Sequence, residues 1–114
     1  MGTVNRSIVI VKPKKAYVDW ANSFTEGGSV YDIEFFRRDC NVYLVNEVEE
    51  IGDDFQEVQV NYAAIFEREL ESWNSDKELW PVKRDYEIFE TWFEVEIHSV
   101  VYDLGRKEIE IEEG

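Results

Sequence analysis

The apolar positions change period several times along the chain, and each change predicts an element. Ser7 to Val11 carries the consecutive aliphatics Ile8 to Val11 and suits a central strand covered on both faces. Lys12-Pro13 then places a proline at a first helical position. Tyr17, Trp20, Ala21 and Phe24 follow at i, i+3, i+4, i+7, which predicts a helix ending before Gly27-Gly28. Ser29 followed by Asp32 resembles a helix start with Val30, Ile33 and Phe36 along one side, although Tyr31, Ile33 and Phe35 also alternate as in a strand. A short helix is the prediction there. Val42 to Val45 forms a second short strand.

The longest periodic segment opens at Asp53-Asp54. Phe55, Val58, Tyr62, Ile65, Phe66, Leu70 and Trp73 keep helical spacing for about five turns. One turn fits between Ser75 and Trp80, and Asp85 caps a further helix carrying Ile88, Phe89, Trp92 and Phe93. From Val95 the period becomes two: Val95, Ile97, Ser99 and Val101 face one way, and Glu94, Glu96, His98, Val100 and Tyr102 the other. Glu and Ile alternate from Glu108 to Glu113, a pattern open to both a charged edge strand and a frayed tail. The predicted fold is α+β: a two-layer single domain, residues 1–114, with a three- to four-stranded sheet covered by about three main helices. A helical crossover between the first two strands favours a parallel, right-handed pair.

Charge sharpens this picture. The chain has 114 residues with 26 acidic against 12 basic side chains, a formal net charge of -14, and residues 47–79 alone hold eleven acids and two bases. Hydrophobic residues at 44% and aromatics at 15% nevertheless supply a core, so the reading is a folded and very acidic domain. The longest aliphatic run, Ile8 to Val11, is far below the ~20 residues of a membrane helix. No signal-peptide pattern opens the sequence, and the single cysteine, Cys40, forms no internal disulfide; a cytoplasmic setting is expected.

Several landmarks recur together: Asn5-Arg6, Lys12-Pro13-Lys14, Val18-Asp19-Trp20, Val42-Tyr43-Leu44, Ile65-Phe66-Glu67, Leu79-Trp80-Pro81, and Ile97-His98-Ser99-Val100-Val101-Tyr102-Asp103-Leu104. This set, spanning Asn5 to Leu104, resembles a family of uncharacterised small acidic bacterial proteins. The resemblance implies a bacterial, cytoplasmic, stand-alone domain and brings no substrate, cofactor or partner with it.

Three features are candidate sites. Lys12, Lys14 and Lys15 crowd a predicted helix start, where cations oppose the dipole. They form either an anion site or a cluster paired with the protein's own acids, and the second reading carries more weight. Glu94, Glu96 and His98 project from one strand face, as a metal or acid–base site requires and as any solvated strand face also shows. Among the aromatics, helical stripes account for Tyr17, Trp20, Trp73, Trp92 and Phe93, which leaves Trp80 as the expected exposed binding anchor. One cysteine and one histidine do not build a Cys/His zinc site. No P-loop, nucleophile-elbow, zincin or EF-hand motif appears, so no catalytic residue, metal or cofactor is expected.

The acid excess opposes direct nucleic-acid binding, which is built on phosphate neutralisation by Lys and Arg. It favours a non-catalytic protein-interaction module that meets a basic protein partner or imitates nucleic acid. The alternatives are a small-ligand or anion-binding protein or enzyme using the Lys12–Lys15 turn or the His98 face, and a subunit of a homo-oligomer. Crowded carboxylates also have a measurable consequence. Moderate added salt should raise the melting temperature by screening self-repulsion, and a melting temperature that falls would contradict this reading.

Overall fold

The computed structural model describes residues 2–25, 30–49 and 54–113. Its elements are β1 (Gly2–Val4), β2 (Arg6–Pro13), α1 (Lys15–Asn22), α2 (Ile33–Arg37), β3 (Asn41–Asn46), α3 (Asp54–Trp73), a 3-10 turn (Lys77–Leu79), α4 (Tyr86–Trp92), β4 (Phe93–His98) and β5 (Val101–Asp103). The predicted stop at Gly27-Gly28, the start at Ser29 and the acid at Asp53 lie outside the described residues.

Strand β2 is central, in the order β3-β2-β4, and both of its pairings are antiparallel. The expected parallel pair is therefore corrected. Both helices expected between β2 and β3 are present, but α2 returns the chain beside the end of β2 rather than its start. Asn41 thus pairs with Val11, and Asn46 with Arg6 at the start of β2. Burial alternates along β2: Ser7, Val9, Val11 and Pro13 are buried, while Ile8, Ile10 and Lys12 are half-buried. The expectation of cover on both faces is corrected as well, because only the inner face is fully sealed.

Pro13 closes β2 rather than opening α1, which begins at Lys15. Lys14 occupies the α1 N-cap without a side-chain cap, and its backbone N–H instead donates to Trp92 O at 2.8 Å. Helix α1 therefore depends on packing by Tyr17, Val18 and Ala21. Both α2 and α4 carry side-chain caps: Asp32 accepts from Phe35 N and Asp85 from Ile88 N.

Helix α3 lays Val58, Ile65, Phe66 and Leu70 into the core, with Tyr62 and Trp73 packed against it. Phe55, expected on the same stripe, is 65% exposed. Phe66 meets Phe89, Trp92 and Phe93 at centroid distances of 5.9, 5.6 and 5.5 Å, so α3, α4 and β4 share one aromatic cluster. Three indoles tie the periphery to this cluster. Trp20 Nε1 donates to Leu79 O at 3.0 Å, Trp73 Nε1 to Ala21 O at 2.9 Å and Trp80 Nε1 to Asn74 O at 2.7 Å.

Strand β4 ends at His98. After Ser99 and Val100 the chain pairs as β5 with β1 in a separate two-stranded antiparallel ribbon. Ser7, fully buried, bridges this junction by donating to Ser99 O at 3.0 Å and accepting from Val48 N at 2.8 Å. Residues 104–113 form neither helix nor strand, so the edge-strand alternative for Glu108 to Glu113 does not hold.

Trp80 corrects another expectation, since it is only 6% exposed and belongs to the core. The 3-10 turn before it folds the ring inward, and the Lys77 and Arg84 side chains lie over it at 5.9 and 5.7 Å from the centroid. Trp80→Ala should cost about 3–5 kcal/mol in urea unfolding, as for other buried aromatics. A cost below about 1 kcal/mol, the scale of a surface change, would show that the ring is not packed.

Candidate functional site

The chain neighbours Lys12, Lys14 and Lys15 take three different directions. Lys12 lies on the outer face of β2 with Nζ 2.6 Å from Glu96 Oε2. Lys14 Nζ donates to Glu90 O at 2.8 Å, and Lys15 Nζ reaches Asp19 Oδ2 at 2.9 Å, one turn along α1. The three ammonium groups do not converge, because a strand end, a cap and a helix face separate them.

On the outer face of the sheet, Glu94, Glu96 and His98 stand in one column along β4. Arg37 Nη2 lies 3.2 Å from Glu94, and His98 Nε2 lies 2.8 Å from Glu96 Oε1. The Lys12 ammonium hydrogen-bonded to Glu96 holds that carboxyl below its usual range, with His98 acting in the same sense. The same bond raises Lys12. Such exposed pairs are screened and add little to stability. Their effect here is to occupy the groups that an acid–base or metal site would need. No group of three or more potential metal ligands occurs among the described residues.

Beside this charged column the outer face is apolar. Ile8 and Ile10 of β2 are half-buried, and Val42 and Leu44 of β3 each keep 55% of their surface exposed. Their register, Ile8 opposite Leu44 and Ile10 opposite Val42, makes them one continuous patch. Strand β3 lies at the sheet edge and carries no charged residue or proline. The usual protections of an edge strand are therefore missing from it, whereas β4 at the opposite edge has the full charged column.

A further polar group sits inside the core. Glu69 is 4% exposed and lies on the buried stripe of α3, one turn from Ile65, Phe66 and Trp73. Its Oε2 accepts from Tyr43 Oη at 2.7 Å and from the Asn41 amide, while its main-chain carbonyl accepts from Tyr17 Oη at 2.9 Å. Burial pushes the Glu69 carboxyl up, against the two side-chain hydrogen bonds that favour its charged form. Burial likewise raises Tyr43, reinforced by the Glu69 charge, and lifts Tyr17 to about 12. Glu69 was absent from the sequence-based candidates. The available signal was an acid at the position where a 3.6-residue period demands an apolar side chain.

Cys40 is half-buried at the end of α2, with Sγ donating to Arg37 O at 3.5 Å, and burial raises its thiol. An activated cysteine needs the opposite shift. In the comparisons with known proteins, no family model, curated protein or solved structure matches the chain.

Because the folded state holds the Glu69 proton more tightly than the unfolded chain, this group favours folding most at low pH. Its contribution declines as pH rises from the ordinary carboxylate range through the raised folded value. Glu69→Gln retains an acceptor for Tyr43 and Asn41 without the charge. It should melt higher than the wild type at pH 7, with the difference closing towards about pH 4. Identical melting at both pH values would show that burial of this carboxylate carries no penalty.

Proposed function

We propose that the protein is a non-catalytic interaction module that binds a basic protein partner through the outer face of its three-stranded sheet. The observation carrying this reading is the apolar patch of exposed Val42 and Leu44 and half-buried Ile8 and Ile10, beside the paired column of Glu94 and Glu96. An apolar centre with a polar margin is the composition of a protein-binding surface. The margin is internally paired, and it is the net charge of -14 that favours a cationic counterpart and repels nucleic acid. The lysine turn and the His98 column supply no converging nucleophile, acid and base, which disfavours the enzyme reading. The resemblance to small acidic bacterial proteins is consistent with a cytoplasmic stand-alone module.

The test is capture from lysate on the immobilised protein at low and high salt, followed by identification of the eluted proteins. The captured set should be enriched in basic proteins, weaken with salt, and weaken tenfold or more, about 1.4 kcal/mol, with Leu44→Asp. That substitution adds negative charge to the patch, so purely electrostatic attraction would increase, whereas a contact on the apolar patch is lost. A captured set no more basic than the lysate, or one indifferent to Leu44→Asp, would overturn the reading.

A further inference from the structure

On the inner side of the fold, where α1, α2, β3 and α3 meet, a cavity of about 230 Å³ is lined by Tyr17, Phe36, Trp73, Glu69, Asp39 and Cys40 among others. Its walls are aromatic. Tyr17 and Phe36 meet edge to face at 5.8 Å, and the tilted rings of Phe36 and Trp73 lie 5.0 Å apart. Its two ionisable acids are Glu69, almost fully buried, and Asp39, exposed at the rim. No lysine or arginine is among its lining residues.

Glu69 is the unusual member. A buried carboxylate is ordinarily paired with a cation, because desolvation of an isolated charge costs several kcal/mol. Among the described residues Glu69 forms no ion pair. Both side-chain hydrogen bonds it receives go to Oε2, and Oε1 takes none from a described residue. Glu69 lines the cavity, and no side-chain oxygen or nitrogen among the described residues is both enclosed and unpartnered, so Oε1 retains access to solvent. The site thus holds a buried carboxyl with no cationic partner among the described residues and the aromatic rings of Tyr17, Phe35, Phe36 and Trp73.

We infer that this cavity binds an aliphatic ammonium group, with the ammonium on Glu69 Oε1 and the alkyl stem against Tyr17, Phe36 and Trp73. Aromatic faces attract cations through their quadrupole, and the buried carboxylate supplies the charge. The cavity is smaller than the roughly 300–1,000 Å³ of drug-sized sites, which fits one side chain or one small amine. A bare metal ion fits poorly, since no three-ligand cluster occurs among the described residues. The ammonium has two sources, a free small amine or a lysine on another protein, and the chemistry at Glu69 is the same for both. This site is separate from the outer sheet face and does not rest on the reading given for that face.

Titration of the full chain with n-butylammonium, with 1-butanol as neutral isostere and with a short capped peptide containing one lysine tests the inference. The readouts are the indole N–H resonance of Trp73 and the alkylation rate of Cys40, the sole thiol, which lies in the cavity wall. Butylammonium should shift the first and slow the second saturably, tenfold or more tighter than 1-butanol. Glu69→Gln should abolish that preference while preserving the circular dichroism spectrum. Should Glu69→Gln fail to fold, Phe36→Leu should weaken butylammonium binding severalfold, and the wild-type comparison of ammonium with alcohol still decides. A response to the peptide as well assigns the source to a lysine side chain, and a response to butylammonium alone assigns it to a free amine. No saturable response to either, or equal responses to ammonium and alcohol, would overturn the inference. Leu44→Asp should leave amine binding unchanged, so failure here and failure of the sheet-face reading are distinguishable.

Discussion

The structure depends on one-sided burial of the central strand. Ser7, Val9, Val11 and Pro13 turn inward and are buried, and Val9 and Val11 join the core formed with the helices. A strand has two faces and these helices occupy one. The consequence runs through the whole molecule: Ile8 and Ile10, equally apolar in sequence, stay half-buried, and the neighbouring Val42 and Leu44 are left open. The exposed patch is thus the other half of the same alternation that forms the core.

Within that core the aromatic residues act as more than filling. Phe66, Phe89 and Phe93 close the centre, while the indoles of Trp20, Trp73 and Trp80 donate to carbonyls on other segments. These bonds pair main-chain acceptors near helix ends. They also explain why an uncapped eight-residue helix such as α1 can be held in place. Glu69 departs from this apolar logic. It joins α3 to β3 through Tyr43 and Asn41 and to α1 through Tyr17, so one acid links three elements. Its position costs desolvation, and a cation is the chemical complement that would relieve it.

The distribution of charge separates two kinds of surface. On the β4 column, Glu94 and Glu96 are met by Arg37 and Lys12, which neutralises them locally, and His98 is hydrogen-bonded to Glu96. On β3 there is no charge at all. Under the proposed reading, a partner that approaches the sheet would meet an apolar patch on a protein of net charge -14. This arrangement permits long-range attraction of a cationic protein and short-range exclusion of water in the same place.

Local sequence determined much of the element list. The strand at Ile8–Val11, the five-turn helix from Asp54, the cap at Asp85 and the alternation of Glu94, Glu96 and His98 against Val95 and Ile97 are all legible, because periodicity and capping are properties of neighbouring residues. Strand direction was not legible. It turns on which end of β2 the chain returns to, which depends on how α1 and α2 pack and not on their presence. Trp80 was misread for a related reason: no repeat places it on a stripe, and only the 3-10 turn and the walls around it bring the ring inside. Glu69 was visible as an acid out of phase with its helix, yet its partners Asn41, Tyr43 and Tyr17 lie 26 or more residues away. Composition and period thus determined which faces are apolar. Tertiary packing alone decided which of those faces are covered, because burial depends on the residues that distant segments bring together.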